Sequence, residues 1–343
     1  MGSGLIVALP LHPPLEPMLA RLARALPEGD GLTYEPKWDG FRCLAFVGGG
    51  DVALHSRNER PHTRYFPEVA AALAHLDDVV LDGELIVHVD GRADFPALMA
   101  RLHPAASRVQ LLSAGTPASY VVFDVLAAGA QDLTTEPFGA RRERLASLLG
   151  DPRAGVVLTP QTTSADEARG WLDAPPGSGI DGVVVKPGDL RYEPGRRSMV
   201  KVKRLRTADC VVAGLRVHPD GGVGSLLLAA YDGDVLRHVG VVTSLGKAFR
   251  AELRDELAPL VTPLAGHPWE QGFALEGGAL GRLKGTAGRW TPDMVRDWVP
   301  VRPERVAEAS YDHVEGYRFR HPARFVRWRP DRDARSCTIE QFG

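Results

Sequence analysis

The sequence predicts an α+β protein of two domains, in which a larger N-terminal domain of antiparallel sheets with flanking helices precedes a smaller C-terminal β-barrel. The chain has 343 residues, more than one core usually holds. In its first part, short strands joined by tight turns alternate with helical segments. After Arg206, several short strands and one helix are typical of an OB-type barrel. We therefore expect domains at 1–205 and 206–343.

The composition is that of a soluble globular protein, with 44% hydrophobic and 24% charged residues. The apolar start, residues 4–11, is short and has no basic residue before it, which argues against a signal peptide or a membrane span. Cys43, Cys210 and Cys337 are odd in number and far apart, so we expect reduced thiols without a disulfide or a zinc site. A cytoplasmic location follows from these features.

Local patterns assign the elements of the first domain in order. Residues 17–26 predict a short helix, because Met18, Leu22 and Leu26 share one stripe. Further helices are predicted at 67–76, 139–149 and 165–173. Strands are predicted at 33–35, 41–47, 52–56, 79–89, 119–126, 181–186 and 198–203.

The second domain reads as a series of strands separated by turns rich in glycine and aspartate. Strands are predicted at 208–217, 224–231, 235–243, 299–309 and 317–327, and one helix at 247–260. Such short strands around one helix favour a small barrel that binds nucleic acid.

The strand at 79–89 carries two carboxylates on one face, Asp82 and Glu84, inside an apolar segment. Buried carboxylates are costly without a partner, so they need a divalent metal, a ribose hydroxyl or a structural salt bridge to an arginine. On the strand at 119–126, Phe123 is either a core residue or a platform for a base.

Lysine is rare in this chain, with six lysines among 41 basic residues. Four of them, Lys37, Lys186, Lys201 and Lys203, fall in three short segments at strand ends or within strands. A lysine becomes a nucleophile once nearby cations help it lose its proton, whereas an arginine stays protonated. The pattern therefore indicates a nucleophilic lysine, and Lys37 is the candidate.

Charge is distributed unevenly, although the net charge is only −2. Residues 186–206 hold eight basic and two acidic residues, and residues 318–335 hold seven arginines and two aspartates. A single run of basic residues is a solvated face about as often as it is a binding surface. Two such runs in an acidic protein favour a polyanionic partner. The turn at 56–60 also contains two arginines, Arg57 and Arg60, that could hold phosphate.

Seven short segments together resemble, in order, the motifs of the covalent nucleotidyltransferases. They are KWDGFR at 37–42, SRN at 56–58, LDGEL at 81–85, VFD at 122–124, DGVVVK at 181–186, VKVK at 200–203 and RPDR at 329–332. Among these enzymes the chain is most similar to the small bacterial ATP-dependent DNA ligases, specifically the C-type enzymes of actinobacteria. The resemblance covers almost the whole chain and implies an ATP-grasp-like adenylation domain followed by an OB-fold.

The resemblance also implies a role for each matched residue. Lys37 takes AMP from ATP, while Lys201 and Lys203 hold the α-phosphate. The expected nucleotide-binding residues are Glu35 beside the adenine, Phe123 against the base, Arg42 and Glu84 near the ribose, and Trp38, Asp39 and Lys186. The expected metal ligands are Asp39, Glu84 and Asp181, and the expected DNA contacts are Arg57 and Arg60. Arg329 and Arg332 are expected to neutralise the departing pyrophosphate when the second domain closes.

Two positions depart from the usual motifs, since Asp181 replaces a glutamate and Arg332 replaces a lysine. The implied function is sealing of 5′-phosphate/3′-hydroxyl nicks in double-stranded DNA during repair, by a nucleoid-associated monomer that uses ATP and Mg²⁺ or Mn²⁺. The alternatives are a GTP-dependent mRNA capping guanylyltransferase, an RNA ligase and a non-catalytic OB-type nucleic-acid binder.

Overall fold

A computed structural model of the chain describes residues 9–150, 154–175, 177–204, 206–270 and 298–342. The chain divides into two compact units, Met1–Arg204 and Leu205–Gly343. Most of the apolar start, residues 4–8, lies outside the described residues. No helix in the described ranges is long and apolar enough to cross a membrane. Cys43, Cys210 and Cys337 are buried free thiols.

The first unit contains eleven strands and five helices among its described residues. Its strands are β1 (Ala20–Ala23), β2 (Leu32–Trp38), β3 (Phe41–Gly48), β4 (Asp51–Ser56), β5 (Val79–Val89), β6 (Arg92–Ala93), β7 (Ala118–Ala128), β8 (Gln131–Asp132), β9 (Val156–Leu158), β10 (Ile180–Pro187) and β11 (Met199–Lys203). Its helices are α1 (Pro67–Leu73), α2 (Phe95–Ala100), α3 (Ala106–Gly115), α4 (Phe138–Leu149) and α5 (Ala165–Leu172).

The larger sheet of this unit has the order β4-β3-β5-β7-β8, with β6 added to β5 and β9 to β7. Strand β5 is central because its run of valine, leucine and isoleucine suits a strand that is buried on both faces. It pairs antiparallel with β3, where Arg42 lies opposite Glu84, and with β7, where Asp82 lies opposite Asp124. The apolar side of the sheet packs with α1, α2 and α4 into one core.

The smaller sheet has the order β1-β11-β10-β2, in which only β1 and β11 are parallel. Helix α5 covers it, with Ala168 packed among Tyr34, Val183 and Val185. The Ser164 hydroxyl caps this helix by accepting a hydrogen bond from the Glu167 amide. Across this sheet, Gly182 of β10 lies between Lys37 of β2 and Lys203 of β11. The sheet therefore sets two of the rare lysines on either side of a residue without a side chain.

The second unit contains seven strands and one α-helix among its described residues. They are β12 (Arg206–Val217), β13 (Val223–Asp232), β14 (Val235–Val242), α6 (Lys247–Leu257), β15 (Val299–Tyr311), β16 (Val314–Glu315), β17 (Arg318–Phe319) and β18 (Arg324–Trp328). Five strands form a sheet of order β14-β13-β12-β15-β18. The two edge strands are β14 and β18. They meet next to Ala323, which forms a β-bridge with Val242 and whose amide donates a hydrogen bond to the Val241 carbonyl over 2.8 Å. The sheet therefore closes into a barrel.

Three expectations from the sequence differ from the structure. Residues 17–26 do not form a helix: β1 lies there, paired with β11, and Leu22 of the supposed buried stripe is 52% exposed. Pairing with β11 outweighs the local helical pattern, because a strand edge supplies hydrogen bonds that a helix of ten residues cannot match. The single strand at 317–327 is two strands, β17 and β18, and α6 ends at Leu257 before a short 3₁₀ turn. The other predicted elements are present with ends shifted by a few residues.

Candidate active site

A cavity of about 500 Å³ opens in the first unit, between its two sheets. Nine of the residues singled out from the sequence line it: Lys37, Trp38, Arg42, Arg57, Glu84, Phe123, Lys186, Lys201 and Lys203. Glu35 and Asp181 are bonded to lysines of this lining. Asp39 and Arg60 are not part of the lining, and Arg329 and Arg332 belong to the second unit.

The amine of Lys37 is held by Asp181. Lys37 Nζ lies 2.6 Å from Asp181 Oδ1, and Lys203 Nζ lies 3.1 Å from Asp181 Oδ2. At Gly182, a Cβ atom would fall 2.1 Å from the Val202 carbonyl oxygen, so the absence of a side chain lets β10 lie close against β11. Burial lowers the pKa of Lys201, and the positive charges of Lys37 and Lys203 lower it further. The arrangement is a cluster of three lysines around one carboxylate.

The loop after Lys37 lies directly against β5, and Gly40 makes this possible. A Cβ atom at Gly40 would fall 2.1 Å from the Leu85 carbonyl oxygen and 3.0 Å from Glu84 Cγ. The preceding Trp38 indole donates a hydrogen bond to Thr159 Oγ1 over 2.9 Å. These two contacts fix the backbone on either side of Asp39, whose amide donates to the Gly179 carbonyl over 2.8 Å.

Glu35 and Lys186 form a buried ion pair, with 2.7 Å between Lys186 Nζ and Glu35 Oε2. Both residues are only 2% exposed, and burial raises the pKa of Glu35 against the opposing pull of Lys186. The Lys186 amine also lies 4.9 Å from the centroid of the Phe123 ring and 4.3 Å from that of Phe138. Lys186 therefore lines the cavity next to Phe123, the ring that the sequence suggested as a platform for a base, and Glu35 holds Lys186 from outside the lining.

The partner of the buried carboxylate of Asp82 is an arginine, Arg42. Arg42 Nε and Nη2 each donate to one Asp82 oxygen over 2.6 Å, a bidentate pair. The guanidinium carbon of Arg42 lies 4.3 Å from the Phe123 ring centroid. Phe123 is 8% exposed, so most of its ring is buried in the core. The remaining part of the ring lines the cavity.

Glu84 has a different environment from Asp82, although both lie on the same strand. It is partly buried and faces the cavity, where burial raises its pKa to about 7 against the pull of Arg42 and Lys37. Its carboxyl group therefore keeps its proton to a higher pH than the carboxyl group of an exposed glutamate. Such a group either accepts a hydrogen bond from a sugar hydroxyl or donates one.

The turn at 56–60 places Arg57 at the cavity. The Ser56 amide donates to the Arg60 carbonyl over 2.9 Å, and the Arg60 amide donates to Ser56 Oγ over 3.1 Å, which closes the turn. The Arg57 amide donates to the Arg42 carbonyl over 3.2 Å. An arginine is thereby fixed by its backbone at the mouth of the cavity, and a guanidinium at this place is suited to bind an anion.

In the second unit, Arg329 and Arg332 share one carboxylate, that of Asp209. Arg329 Nη1 donates to both Asp209 oxygens over 3.0 Å, and Arg332 Nε lies 3.2 Å from Asp209 Oδ2. Arg329 also pairs with Asp331 over 2.8 Å. The arginines are thus organised by two aspartates within their own unit.

Some cavity residues were missed by sequence reasoning. Met18, His62 and Arg197 line the cavity. Tyr192 donates a hydrogen bond to Asp82, the partner of Arg42. Arg197 belongs to the basic run at 186–206 and could have been chosen on charge. The spacing at 17–26 predicts a helical stripe at Met18 and no role in a site, and His62 lies in a segment without any spacing signal. The pairing of β1 with β11 brings Met18 to the cavity.

The carboxylates of the site suit a hard divalent cation. Side-chain oxygens of Asp39 and Asp181 lie within 4.8 Å of each other. The charge of Asp181 also acts on Glu84, whose pKa it raises. Oxygen ligands of this kind are those that Mg²⁺ and Mn²⁺ prefer. The residues present therefore fit such an ion, with Asp39 and Asp181 close enough to share it.

Comparison with known families agrees with this fold and site. Residues 17–203 match the model of the ATP dependent DNA ligase domain, and residues 219–332 match that of the ATP dependent DNA ligase C terminal region. The chain belongs to the ATP-dependent DNA ligase family. Its fold is that of a nucleotidyltransferase domain followed by an OB-type barrel.

Within this family the chain is similar to small bacterial ligases of the C type. It is 50% identical to DNA ligase C2 of Mycolicibacterium smegmatis, across 97% of this chain and 96% of that protein. It is 48% identical to DNA ligase C of Mycobacterium tuberculosis, across 97% of this chain and 95% of that protein. A solved structure of a Lig E DNA ligase shares the fold, with a TM-score of 0.52 and 18% identity over 91% of this chain and 99% of that one.

Proposed function

We propose that this protein seals nicks between a 5′-phosphate and a 3′-hydroxyl in double-stranded DNA at the expense of ATP, through a covalent lysyl-AMP. The observation that carries the proposal is the position of Lys37, at the end of β2 in a cavity with Asp181 at 2.6 Å and two further lysines beside it. Phosphoryl transfer depends mainly on positioning and charge neutralisation, and this cluster supplies both.

In the first step, the Lys37 amine attacks the α-phosphorus of ATP. A P–N bond forms, the bond to the β-phosphate breaks, and pyrophosphate leaves, while the amine loses a proton. Lys201 and Lys203 neutralise the α-phosphate, and Lys186 with Glu35 stands beside the base. A divalent ion held by Asp39, Glu84 and Asp181 would neutralise phosphate charge when bound.

Arg42, Glu84 and Phe123 form the proposed contacts to the nucleoside. Phe123 offers its ring to the base, while Arg42 and Glu84 face the sugar. Trp38 and Asp39 hold the backbone around the nucleophile. The pair formed by Arg329 and Arg332 would supply the cation that neutralises the developing charge on pyrophosphate.

The remaining two steps move AMP to DNA and then release it. An oxygen of the 5′-phosphate attacks the AMP phosphorus, which breaks the P–N bond and restores the lysine. The 3′-hydroxyl then attacks the 5′-phosphorus, a phosphodiester bond forms and AMP leaves. Arg57 and Arg60 are the proposed contacts to the nick phosphate, because Arg57 borders the cavity that holds the nucleophile.

Several finer features belong to the same proposal. The relatives are named DNA ligases, which supports nicked DNA as the substrate. We expect a cytoplasmic, nucleoid-associated monomer that acts in DNA repair with Mg²⁺ or Mn²⁺.

The test is self-labelling with ATP or GTP radiolabelled at the α-phosphate. The parent should become labelled by ATP through an acid-labile P–N bond, and Lys37→Arg should not, because a guanidinium remains protonated. Lys247→Arg is the matched control, since Lys247 is an exposed lysine of α6 and should label like the parent. Labelling by GTP would indicate a capping enzyme, and sealing of nicked RNA alone an RNA ligase. A parent that binds DNA without any label would indicate a non-catalytic binder.

A further inference from the structure

A buried tyrosine, Tyr192, lies beneath the cavity and belongs to none of the seven motifs. It is 4% exposed and sits in the segment between β10 and β11. Its hydroxyl donates to Asp82 Oδ2 over 2.6 Å and accepts a hydrogen bond from the Met18 amide over 2.9 Å. Its own amide donates to the Thr134 carbonyl over 2.8 Å, which anchors the ring to the scaffold.

The tyrosine completes the environment of Asp82. The side chain of Asp82 is fully buried and accepts three short hydrogen bonds, two from Arg42 and one from Tyr192. A buried carboxylate is tolerated only when its oxygens are satisfied, and these bonds also fix its plane. Since the bidentate pair shares that plane, the orientation of Asp82 determines the orientation of the Arg42 guanidinium.

The same hydroxyl connects two walls of the cavity. Arg42 Nη2 lies 3.4 Å from the Met18 carbonyl oxygen, and the Met18 amide is bonded to Tyr192. Met18 and Arg42 both line the cavity, and Arg42 lies over Phe123. The Tyr192 hydroxyl thus holds the segment that leads into β1, through the Met18 amide. It also holds Arg42, through Asp82.

We propose that Tyr192 is a positioning residue that holds Arg42 against the ribose of the bound nucleotide, and that its hydroxyl thereby sets how strongly the site selects for ribose hydroxyls. The inference rests on the proposed nucleotide contact of Arg42. A donor fixed by such outer hydrogen bonds rejects a ligand that lacks the matching hydroxyl, whereas a loosely held donor does not.

The test compares Tyr192→Phe with a matched control, Tyr34→Phe. Tyr34 is 1% exposed in the same unit, and its hydroxyl makes one hydrogen bond, to the Pro27 carbonyl over 2.9 Å. Self-adenylation is measured with ATP, 2′-deoxyATP and 3′-deoxyATP, and kcat/KM for ATP is divided by that for each analogue. We expect Tyr192→Phe to lower at least one of these ratios by about tenfold and Tyr34→Phe to leave both unchanged.

A double-mutant cycle shows whether Tyr192 acts through Arg42. In an Arg42→Ala background, Tyr192→Phe should have no further effect on the ratios. If Tyr192→Phe does not fold, Asp82→Asn replaces it, because this isosteric change weakens the next link in the same chain and must lower the same ratio. Unchanged ratios in the variant that folds, or equal effects with and without Arg42, would overturn the proposal. A parent that is not labelled by ATP would instead refute the proposed function.

Discussion

Asp181 Oδ1 and Lys37 Nζ are 2.6 Å apart, so the proposed nucleophile and a proposed metal ligand are in direct contact. The second oxygen of the same carboxylate pairs with Lys203. The lysine amines and a divalent ion would both use the oxygens of this one carboxylate as partners. Asp181 therefore has two competing tasks: pairing with the lysines, and holding a divalent ion.

The first prediction concerns the length and charge of this side chain. Asp181→Asn should slow self-adenylation by about 100-fold or more, because it removes a carboxylate from the cation that neutralises phosphate charge. It should also raise the Mg²⁺ concentration needed for half-maximal labelling. Asp181→Glu should keep most of the activity, since the related motif usually carries glutamate. Initial rates of enzyme–AMP formation across a Mg²⁺ titration measure both effects.

The metal dependence separates the two tasks of Asp181. If Asp181 serves only to hold Lys37, Asp181→Asn lowers the rate while the half-maximal Mg²⁺ concentration stays that of the parent. This result would remove Asp181 from the proposed metal ligands and leave it as a positioning residue.

A second prediction concerns the glycine after the nucleophile. Gly40→Ala should destabilise the first unit by roughly 1–3 kcal/mol, because its Cβ would meet the backbone carbonyl oxygen of Leu85 in β5, which cannot move aside without disturbing the strand. Gly170→Ala in α5 is the matched control: nothing lies within 4 Å of its Cβ, and alanine should stabilise the helix by about 0.5–1 kcal/mol. Urea unfolding of both variants gives the free energies. Equal stabilities would contradict the close packing of the loop on β5.

The sequence was informative wherever chemistry leaves a pattern along the chain. Alternation predicts the strands at 79–89 and 198–203, and a run of valines predicts the strand at 181–186. They are present as β5, β11 and β10. The choice of partner for Asp82 could not be predicted, because Arg42 and Tyr192 reach it from other strands and segments. The helix predicted at 17–26 is wrong for the same reason, since the residues of β11 that pair with this segment lie far away along the chain.

The last prediction concerns Arg329 and Arg332, which the sequence treats alike and the structure distinguishes. Arg329 directs Nε and Nη2 to Asp331 and Nη1 to Asp209, so its donors already serve two carboxylates. Its side chain is 19% exposed, whereas that of Arg332 is 40% exposed and pairs with Asp209 through Nε. An arginine that must contact pyrophosphate has to exchange its existing partners for phosphate oxygens, which is easier for Arg332. We therefore expect Arg332 to make the contact and Arg329 to orient it through Asp209.

Arg332→Ala should accordingly slow self-adenylation by roughly 100- to 1000-fold, the usual effect of removing one donor from a developing oxyanion. Sealing of a chemically pre-adenylated nick, which expels no pyrophosphate, should stay within a few-fold of the parent. Arg332→Lys should recover part of the loss, because it keeps the charge but not the bidentate geometry. Rapid-quench measurements of both steps make the comparison. If Arg332→Ala slows both steps equally, Arg332 acts through DNA binding or stability. If instead Arg329→Ala alone gives the selective loss, the roles of the two arginines are reversed.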